Sequence, residues 1–297
     1  MPNVLANLRE ETIKAQRSKI IASQLNCVRL TGEMTTDGKP LVELFIKAAP
    51  TDKREKGPCL IDQQWFMAMY CLVEQGLIDL RLTPMSLEMA PPNYLRLNVA
   101  RHLPVAWIQS GFVQGKDYSG VIISSTEHLE QLMEKLGSPN LNPYVNPDDA
   151  LRAEEVFEDL YRNLMNYIRY DNLRPLMSTL TALDSYLAQR AQPYLLDDYP
   201  VYVDCQLMPK LQHLRVAARA YKNFDIPEHL TYLWAYIDRM YHTKAFICSC
   251  PSDRDILAHY NEKDKLPHSI RISLLGSECL SDVPETVLHK QPMINGE

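Results

Sequence analysis

The stretch that decides the fold runs from residue 41 to residue 83 and reads LVELFIKAAPTDKREKGPCLIDQQWFMAMYCLVEQGLIDLRLT. Apolar and polar residues alternate in Leu41–Ala48, a pattern typical of a half-buried strand. Cys59–Gln75 has the composition of a helix, and its second half is apolar nearly all round, which indicates a buried helix. Gly76 ends it, and Ile78–Thr83 alternates again. The pattern predicts a β-α-β unit with parallel strands and a right-handed crossover.

The next segment completes a small domain around this unit. Pro91–Asn98 predicts a short helix opened by two prolines, and Val105–Gln109 predicts a third strand. Gly111–Val113 and Tyr118–Ile123 are expected to pair as a hairpin that ends in a fourth strand. Ser124–Leu136 predicts a helix whose first residue forms a capping box with the glutamate three positions later. The order β-α-β-α-β-β-α describes a thioredoxin-like sheet.

Everything beyond the next linker has a helical pattern. Gly137–Pro147 contains three prolines and three asparagines, so we expect the domain boundary there. Four apolar stripes at helical spacing follow, beginning at Phe157, Leu176, Leu207 and Leu230, and they predict an all-α bundle. The predicted organisation is an N-terminal extension (1–36), a thioredoxin-like domain (37–137), a linker (138–147), an all-helical domain (148–263) and a disordered tail (264–297).

Composition excludes several classes of protein. The chain has 297 residues, of which 46% are hydrophobic and 23% charged, values that are ordinary for a globular protein. A net charge of −6 provides no basic field for nucleic acid, so no nucleic-acid partner is expected. The first 25 residues contain no apolar signal region, and the longest purely apolar run, Trp65–Val73, is too short to span a bilayer. The sequence predicts a soluble chain.

The seven cysteines are scattered and odd in number, which favours free thiols in a reducing compartment. Cys59 is the candidate with chemistry, because it precedes a predicted helix whose dipole favours an anion. The basic loop at 53–56 also favours the thiolate, whereas Asp62 opposes it by like-charge repulsion. A lone thiolate can attack a disulfide, but a second thiol, typically glutathione, must resolve the product. The alternative is a small buried cysteine that does no chemistry.

Two further features bear on the site. Pro104 follows the short helix and opens the third strand, a position where a cis proline would turn the backbone of Leu103 toward a peptide-like ligand. Cys248 and Cys250 are close in sequence, but two thiols need two more ligands for zinc and none is adjacent. No metal site is expected.

Several motifs carry a family resemblance. They are VDCQLMPKLQHLRVAARAYKNFDIP at 203–227, LWAY at 233–236, CPSD at 250–253 and GPCLIDQQWFM at 57–67. Together they resemble the chloride intracellular channel family, and invertebrate members more than vertebrate ones. The resemblance implies a glutathione-transferase-like fold, which joins a thioredoxin-like N-terminal domain to an all-helical C-terminal domain. This α/β plus all-α architecture agrees with the element order above.

The resemblance also implies residue roles. Cys59 matches the thiol that forms a mixed disulfide with glutathione, and Pro104 matches the cis proline. Leu103 matches the residue whose backbone holds the cysteinyl group of glutathione, and Ser125 falls near the acidic position that meets the γ-glutamyl end. Serine in place of an acid weakens the expected affinity for glutathione. The vertebrate C-P-F-S motif is also lost, since Leu60, Ile61 and Asp62 follow the thiol.

Three functions remain open at this point. The first is a chloride-intracellular-channel-like protein of the cytoplasm with a membrane-associated form at an intracellular or plasma membrane; its partners would be lipid, chloride and further copies of the chain. The second is a glutathione-dependent oxidoreductase or transferase with Cys59 as nucleophile, and the third is a non-catalytic scaffold. The segment expected to insert, Cys59–Leu80, contains Asp62, Glu74 and Asp79, and charges at a helix centre cost roughly 2.5–3.5 kcal/mol each.

Overall fold

The computed structural model describes residues 38–264 and 278–285. Its main sheet has four strands in the order β2-β1-β3-β6, with β1 parallel to β2 and antiparallel to β3, and with β3 antiparallel to β6. The predicted N-terminal extension and most of the predicted tail lie outside the described residues. The strands are β1 Leu41–Lys47, β2 Asp79–Met85, β3 Val105–Ser110 and β6 Ile122–Ile123.

The hairpin predicted between 111–113 and 118–123 has a different pairing. Phe112–Val113 (β4) pairs with Lys116–Asp117 (β5) in a separate two-stranded ribbon, while β6 returns to the main sheet beside β3. The turn between β4 and β5 consists of Gln114 and Gly115, both with positive φ. A two-residue turn of this kind connects the strands of a tight hairpin. β4 therefore pairs with residues 116–117, whereas the sequence pattern predicted pairing with residues 118–123.

Three helices cover the sheet: α1 Leu60–Glu74, α2 Pro92–Arg96 and α3 Thr126–Lys135. Every residue of α1 from Trp65 to Leu72 is buried, which confirms the buried helix that the sequence predicts. One face of the sheet packs with α1 and α3 into a core that continues into the helical domain, and the other face forms a smaller core with α2.

The start of α3 corrects the predicted capping box. The cap is Ser125, whose Oγ accepts a hydrogen bond from the His128 amide at 3.2 Å, and not Ser124. Ser124 instead ends the stretch after β6, and its carbonyl lies 2.9 Å from Nε2 of His102. Ser124 has the glutamate three positions later that a capping box needs, whereas Ser125 has His128 there and caps the helix with its hydroxyl alone.

The C-terminal half is all helical, as predicted, and residues 136–146 form turns that lead into it. The first predicted stripe is divided between two helices, because residues 158–159 form a turn between Phe157 and Leu160. The seven helices described are α4 Pro147–Phe157, α5 Leu160–Tyr170, α6 Leu173–Ala188, α7 Tyr202–Lys222, α8 Thr231–Tyr241, α9 Lys244–Ser249 and α10 Asp253–Asp264.

Part of the predicted disordered tail is packed against this bundle. In residues 278–285, Leu280 and Val283 contact the core of the helical domain. The side chain of Gln212 donates to the Leu280 carbonyl at 2.9 Å, and Arg219 binds Asp282 at 3.1 Å. The sequence prediction is therefore wrong for these eight residues. Their anchoring comes from partners on α7, about 70 residues earlier in the chain, which local periodicity does not reveal.

Candidate functional site

The candidate site lies at the edge of the sheet where β1 ends and β3 begins. The loop after β1 returns to the end of that strand, where the Gly57 amide donates a hydrogen bond to the Lys47 carbonyl at 2.8 Å. A Cβ at Gly57 would lie 2.6 Å from that same oxygen, so only glycine allows this approach. This return of the loop places Cys59 at the edge of the sheet. In the β1–β3 register Phe45 faces Val105, so Pro104 is at the same edge.

Cys59 is the N-cap residue of α1 and is half-buried. Its pKa is raised to about 11, first by burial of the thiol and then by the negative charge of Asp62. Of the two interpretations that the sequence left open, the raised pKa opposes the activated thiolate. The basic loop residues do not compensate, because Arg54 is exposed and binds Asp52 at 3.1 Å. Burial and a neighbouring carboxylate outweigh the helix dipole here.

Asp62 is fully buried beside the thiol. Its carboxylate accepts a hydrogen bond from the Lys47 amide at 2.7 Å, which ties the first turn of α1 to the end of β1. Burial raises the pKa of Asp62 to about 6, and the hydrogen bonds from Lys47 and from the Cys59 thiol oppose that shift. The two groups are therefore coupled in opposite senses, because the Cys59 thiol favours ionisation of Asp62 and the Asp62 carboxylate opposes ionisation of Cys59.

The Leu103–Pro104 peptide bond is cis. The loop before it is held by Tyr94, whose hydroxyl donates to the His102 carbonyl at 2.8 Å. Leu103 is half-buried against the smaller core, so its side chain points into the domain. Such an arrangement leaves the backbone at this edge as the group that a peptide-like ligand would meet. The ligand-binding role of both residues stays a prediction.

Ser125 reaches the same edge by another route. It follows β6, whose Ile123 pairs with Ala106 of β3, so it lies beside the start of β3. The side chain is half-exposed and already accepts the hydrogen bond that caps α3. Its hydroxyl proton remains able to donate to a ligand oxygen. The structure thus brings Cys59, Leu103, Pro104 and Ser125 to one edge of the sheet.

Sequence reasoning missed the contribution of the helical domain. Tyr161 on α5 faces the thiol closely enough that the charge of a Cys59 thiolate would raise its pKa, although burial is the larger cause. Its hydroxyl hydrogen-bonds with Tyr260 on α10. In the sequence, Tyr161 is only one member of an apolar helical stripe. No local signal distinguishes it, because its proximity to Cys59 arises from domain packing.

Other kinds of site are absent from the described part of the chain. Within residues 38–264 and 278–285, no three His, Cys, Asp or Glu side chains are grouped as metal ligands. Among the helices of those same residues, none combines the length and the apolar character that crossing a membrane requires.

A thioredoxin-like sheet with a cis proline, joined to an all-helical domain, defines the glutathione-transferase-like class of proteins. Two solved structures share this fold: a dehydroascorbate reductase from Chlamydomonas reinhardtii (TM-score 0.58, 17% identity, 74% of this chain and 97% of that one) and rice GST1 in complex with glutathione (TM-score 0.57, 17% identity, 77% and 99%). At this identity the likeness shows the fold alone.

Within that class, the chain belongs to the chloride intracellular channel family. It is 34% identical over 230 residues to the chloride intracellular channel Clic of Drosophila melanogaster, covering 76% of this chain and 84% of Clic. It is 29% identical to exc-4 of Caenorhabditis elegans, covering 84% and 90%. The crystal structure of that CLIC homologue aligns with a TM-score of 0.70 and 28% identity, over 84% and 96%. No protein-family model matches the chain.

Proposed function

We propose that this protein conducts chloride in a membrane-associated form and otherwise resides in the cytoplasm. The observation that carries the proposal is the 34% identity to the chloride intracellular channel Clic, which spans 84% of that protein. The partners of the membrane-associated form are the lipid of an intracellular or plasma membrane, chloride, and further copies of the chain.

The packing of α1 determines which structural changes a membrane-associated form requires. Of the contacts between the two halves of the protein, the most extensive join α1 and α7. A bilayer can take up α1 only after this interface has separated. The carboxylates of Asp62 and Glu74 would then need water, because a charge in hydrocarbon is costly. An oligomer that turns both carboxylates toward a water-filled lumen meets that need.

The test is chloride efflux from liposomes that contain a chloride-sensitive dye. We expect efflux to rise with protein concentration and its chloride selectivity to change in Glu74→Gln, which alters the charge of the proposed lumen. Glu134→Gln is the matched control, because it removes an exposed carboxylate from α3, outside the inserting segment. Absence of protein-dependent efflux contradicts the function. Efflux that both variants leave unchanged contradicts a pore built from α1.

A second candidate function is glutathione binding at the sheet edge. The specific observation in its favour is that Leu103 and Pro104, which precede β3, lie at the same edge of the sheet as Cys59. Pro104 and the backbone of Leu103 would hold the cysteinyl part of glutathione, and Ser125 would meet the γ-glutamyl end. Rice GST1, with the same fold, is solved in complex with glutathione.

This binding is expected to be weak and to support little turnover. A pKa of about 11 leaves only a minute thiolate fraction on Cys59 at neutral pH. Ser125 also lacks the charge that would pair with the ammonium group of glutathione. Titration calorimetry should therefore show that Ser125→Asp tightens glutathione binding by about tenfold, since an ion pair replaces a neutral contact.

Ser178→Asp is the control for this titration, because it adds the same charge to an exposed position on α6. Tighter binding in both variants would point to a general charge effect. Undetectable glutathione binding in the wild type and in Ser125→Asp would contradict this function. If liposome efflux were also absent, a scaffold would be the remaining candidate.

A further inference from the structure

Two cysteines meet where the C-terminal segment docks on the helical domain. Cys250 ends α9 and is buried, and Cys279 belongs to the packed segment 278–285 and is exposed as a residue. The sulfur of Cys279 donates to the Pro251 carbonyl at 3.1 Å, and the sulfur of Cys250 donates to the same oxygen at 3.4 Å. Two thiols within hydrogen-bond distance of one carbonyl oxygen lie near each other, and when Cys279 ionises, the single proton of the Cys250 thiol can donate to its thiolate instead.

The backbone around the two thiols holds this geometry in place. The Asp253 amide donates to the Glu278 carbonyl at 3.0 Å, and the Leu280 amide donates to the Asp253 carboxylate at 2.9 Å. Cys279 is therefore fixed by a hydrogen bond on each side of it in sequence. The proximity of the two thiols follows from this docking of the segment on the end of α9.

The two thiols differ in pKa, because their electrostatic surroundings differ. The pKa of Cys279 is lowered, first by the hydrogen bond from Cys250 and also by the positive charge of Lys56. Burial raises the pKa of Cys250. Ionisation of Cys279 is opposed by desolvation of its sulfur, which lies against Pro251 although the residue as a whole is exposed, and by the charges of Asp253 and Asp255. Cys279 is consequently the thiol that ionises first, and its buried neighbour is the thiol that can resolve a mixed disulfide.

We propose that Cys250 and Cys279 form a reversible disulfide by exchange with a small disulfide oxidant of the glutathione disulfide class. The Cys279 thiolate attacks one sulfur of the oxidant and releases one glutathione thiolate. Cys250 then loses its proton and attacks the Cys279 sulfur, and the second glutathione leaves as a thiolate. Two protein thiols are oxidised, one external disulfide is reduced, and two protons are released. Cys59 takes no part.

The disulfide would bond the C-terminal segment covalently to the end of α9. The region where the segment docks also contacts the thioredoxin-like domain. The amide and the hydroxyl of Thr51, on the loop after β1, donate to the Asp255 carboxylate at 3.3 and 2.5 Å. Lys56, on the same loop, supplies the positive charge. The site therefore exists only when the two domains and the segment are assembled, which makes its reactivity a property of the folded chain.

The test is disulfide mapping on the full chain. Protein is equilibrated in buffers of graded reduced and oxidised glutathione, quenched with acid, alkylated with N-ethylmaleimide and digested with trypsin. We expect residues 245–254 and 272–290 to appear as one linked peptide pair, in a fraction that rises with the proportion of glutathione disulfide. Cys279→Ser should abolish the pair and is expected to fold, since the residue is exposed. Cys248→Ser should leave the pair intact and rules out the neighbouring cysteine.

A rate measurement tests the role of Lys56. Lys56→Gln should slow the reaction of Cys279 with glutathione disulfide at neutral pH by about threefold, because a positive charge favours the thiolate. Lys53→Gln, which removes an exposed charge from the same loop, should leave the rate unchanged. The proposal is overturned if no linked pair forms at any ratio, if Cys279 stops at a stable glutathione adduct, or if the pair survives Cys279→Ser or disappears in Cys248→Ser.

Discussion

A thiol at the start of a helix usually ionises readily in the field of the helix dipole, yet the pKa of Cys59 is raised to about 11. In the sequence, the helix dipole and the basic loop favour a Cys59 thiolate, Asp62 opposes it, and an inert buried cysteine is the alternative. Residues 57–62 do not show how deeply the two side chains are buried, and burial is the larger cause of the shift in the Cys59 pKa. Burial of this kind depends on tertiary packing, which local sequence does not reveal.

Replacing Asp62 tests this account at the level of one residue. Asp62→Asn removes the charge that raises the pKa of Cys59, while its amide oxygen can still accept the hydrogen bond from Lys47. We expect the Cys59 pKa to fall by about one unit and alkylation at pH 8 to accelerate by about tenfold. The pH dependence of iodoacetamide labelling measures it. Asp52→Asn, in the exposed loop, is the control, and an unchanged Cys59 pKa in Asp62→Asn would contradict the account.

At the level of elements, α7 begins without a side-chain cap of the usual kind. The side chain of Val201, the N-cap residue, carries no oxygen, and the absence of a side-chain cap costs about 1 kcal/mol. Asp204, at the third helical position, replaces it. Its carboxylate accepts from the Val201 amide at 2.8 Å, the Leu195 amide at 3.2 Å and the Tyr236 hydroxyl at 2.9 Å.

The burial of Asp204 makes α7 sensitive to pH. Burial raises its pKa to about 7, so the folded protein binds this proton more tightly than the unfolded chain does. The contribution of Asp204 to stability is therefore fully present below about pH 4 and is lost as the pH rises toward 7. We expect the free energy of unfolding of wild type, relative to Asp204→Asn, to fall by more than about 1.4 kcal/mol over that range, the value of one pKa unit.

Urea unfolding between pH 4.5 and pH 8 measures this difference. Asp198→Asn is the control for the loss of one carboxylate, because Asp198 is exposed in the segment that precedes α7. A difference between wild type and Asp204→Asn that stays constant with pH, or that grows as the pH rises, would show that the carboxyl does not take up its proton in this range.

The elements that the sequence predicted well are those whose own residues are densely apolar. β1 and the second half of α1 show this density, although β1 is buried on both faces and α1 packs mainly against α7 and α9 in the helical domain. The β4–β5 ribbon and the docked segment 278–285 follow from a two-residue turn and from distant partners on α7. Hydrophobic periodicity carries no information on either, so the prediction failed at both places.

At the scale of the whole molecule, the α1–α7 interface joins the two domains and stands between the described form and any form in which α1 enters a bilayer. One polar contact at this interface can be removed cleanly. Nε2 of Gln64 on α1 donates to the hydroxyl of Tyr202 on α7 at 2.9 Å. This hydrogen bond exists only while the domains are together, and its net value is about 1 kcal/mol.

Tyr202→Phe should therefore shift the protein toward its membrane-associated form. The variant keeps the buried ring and loses the hydroxyl, so it weakens the assembled form by about 1 kcal/mol and leaves a separated α1 unaffected. Such a change alters populations by about fivefold. Co-sedimentation with liposomes, at protein concentrations where most of the wild type stays unbound, should show that increase, whereas Tyr199→Phe, an exposed tyrosine, should not. If Tyr202→Phe lowers the melting temperature but leaves liposome binding at the wild-type level, membrane association does not proceed through separation of α1 from α7.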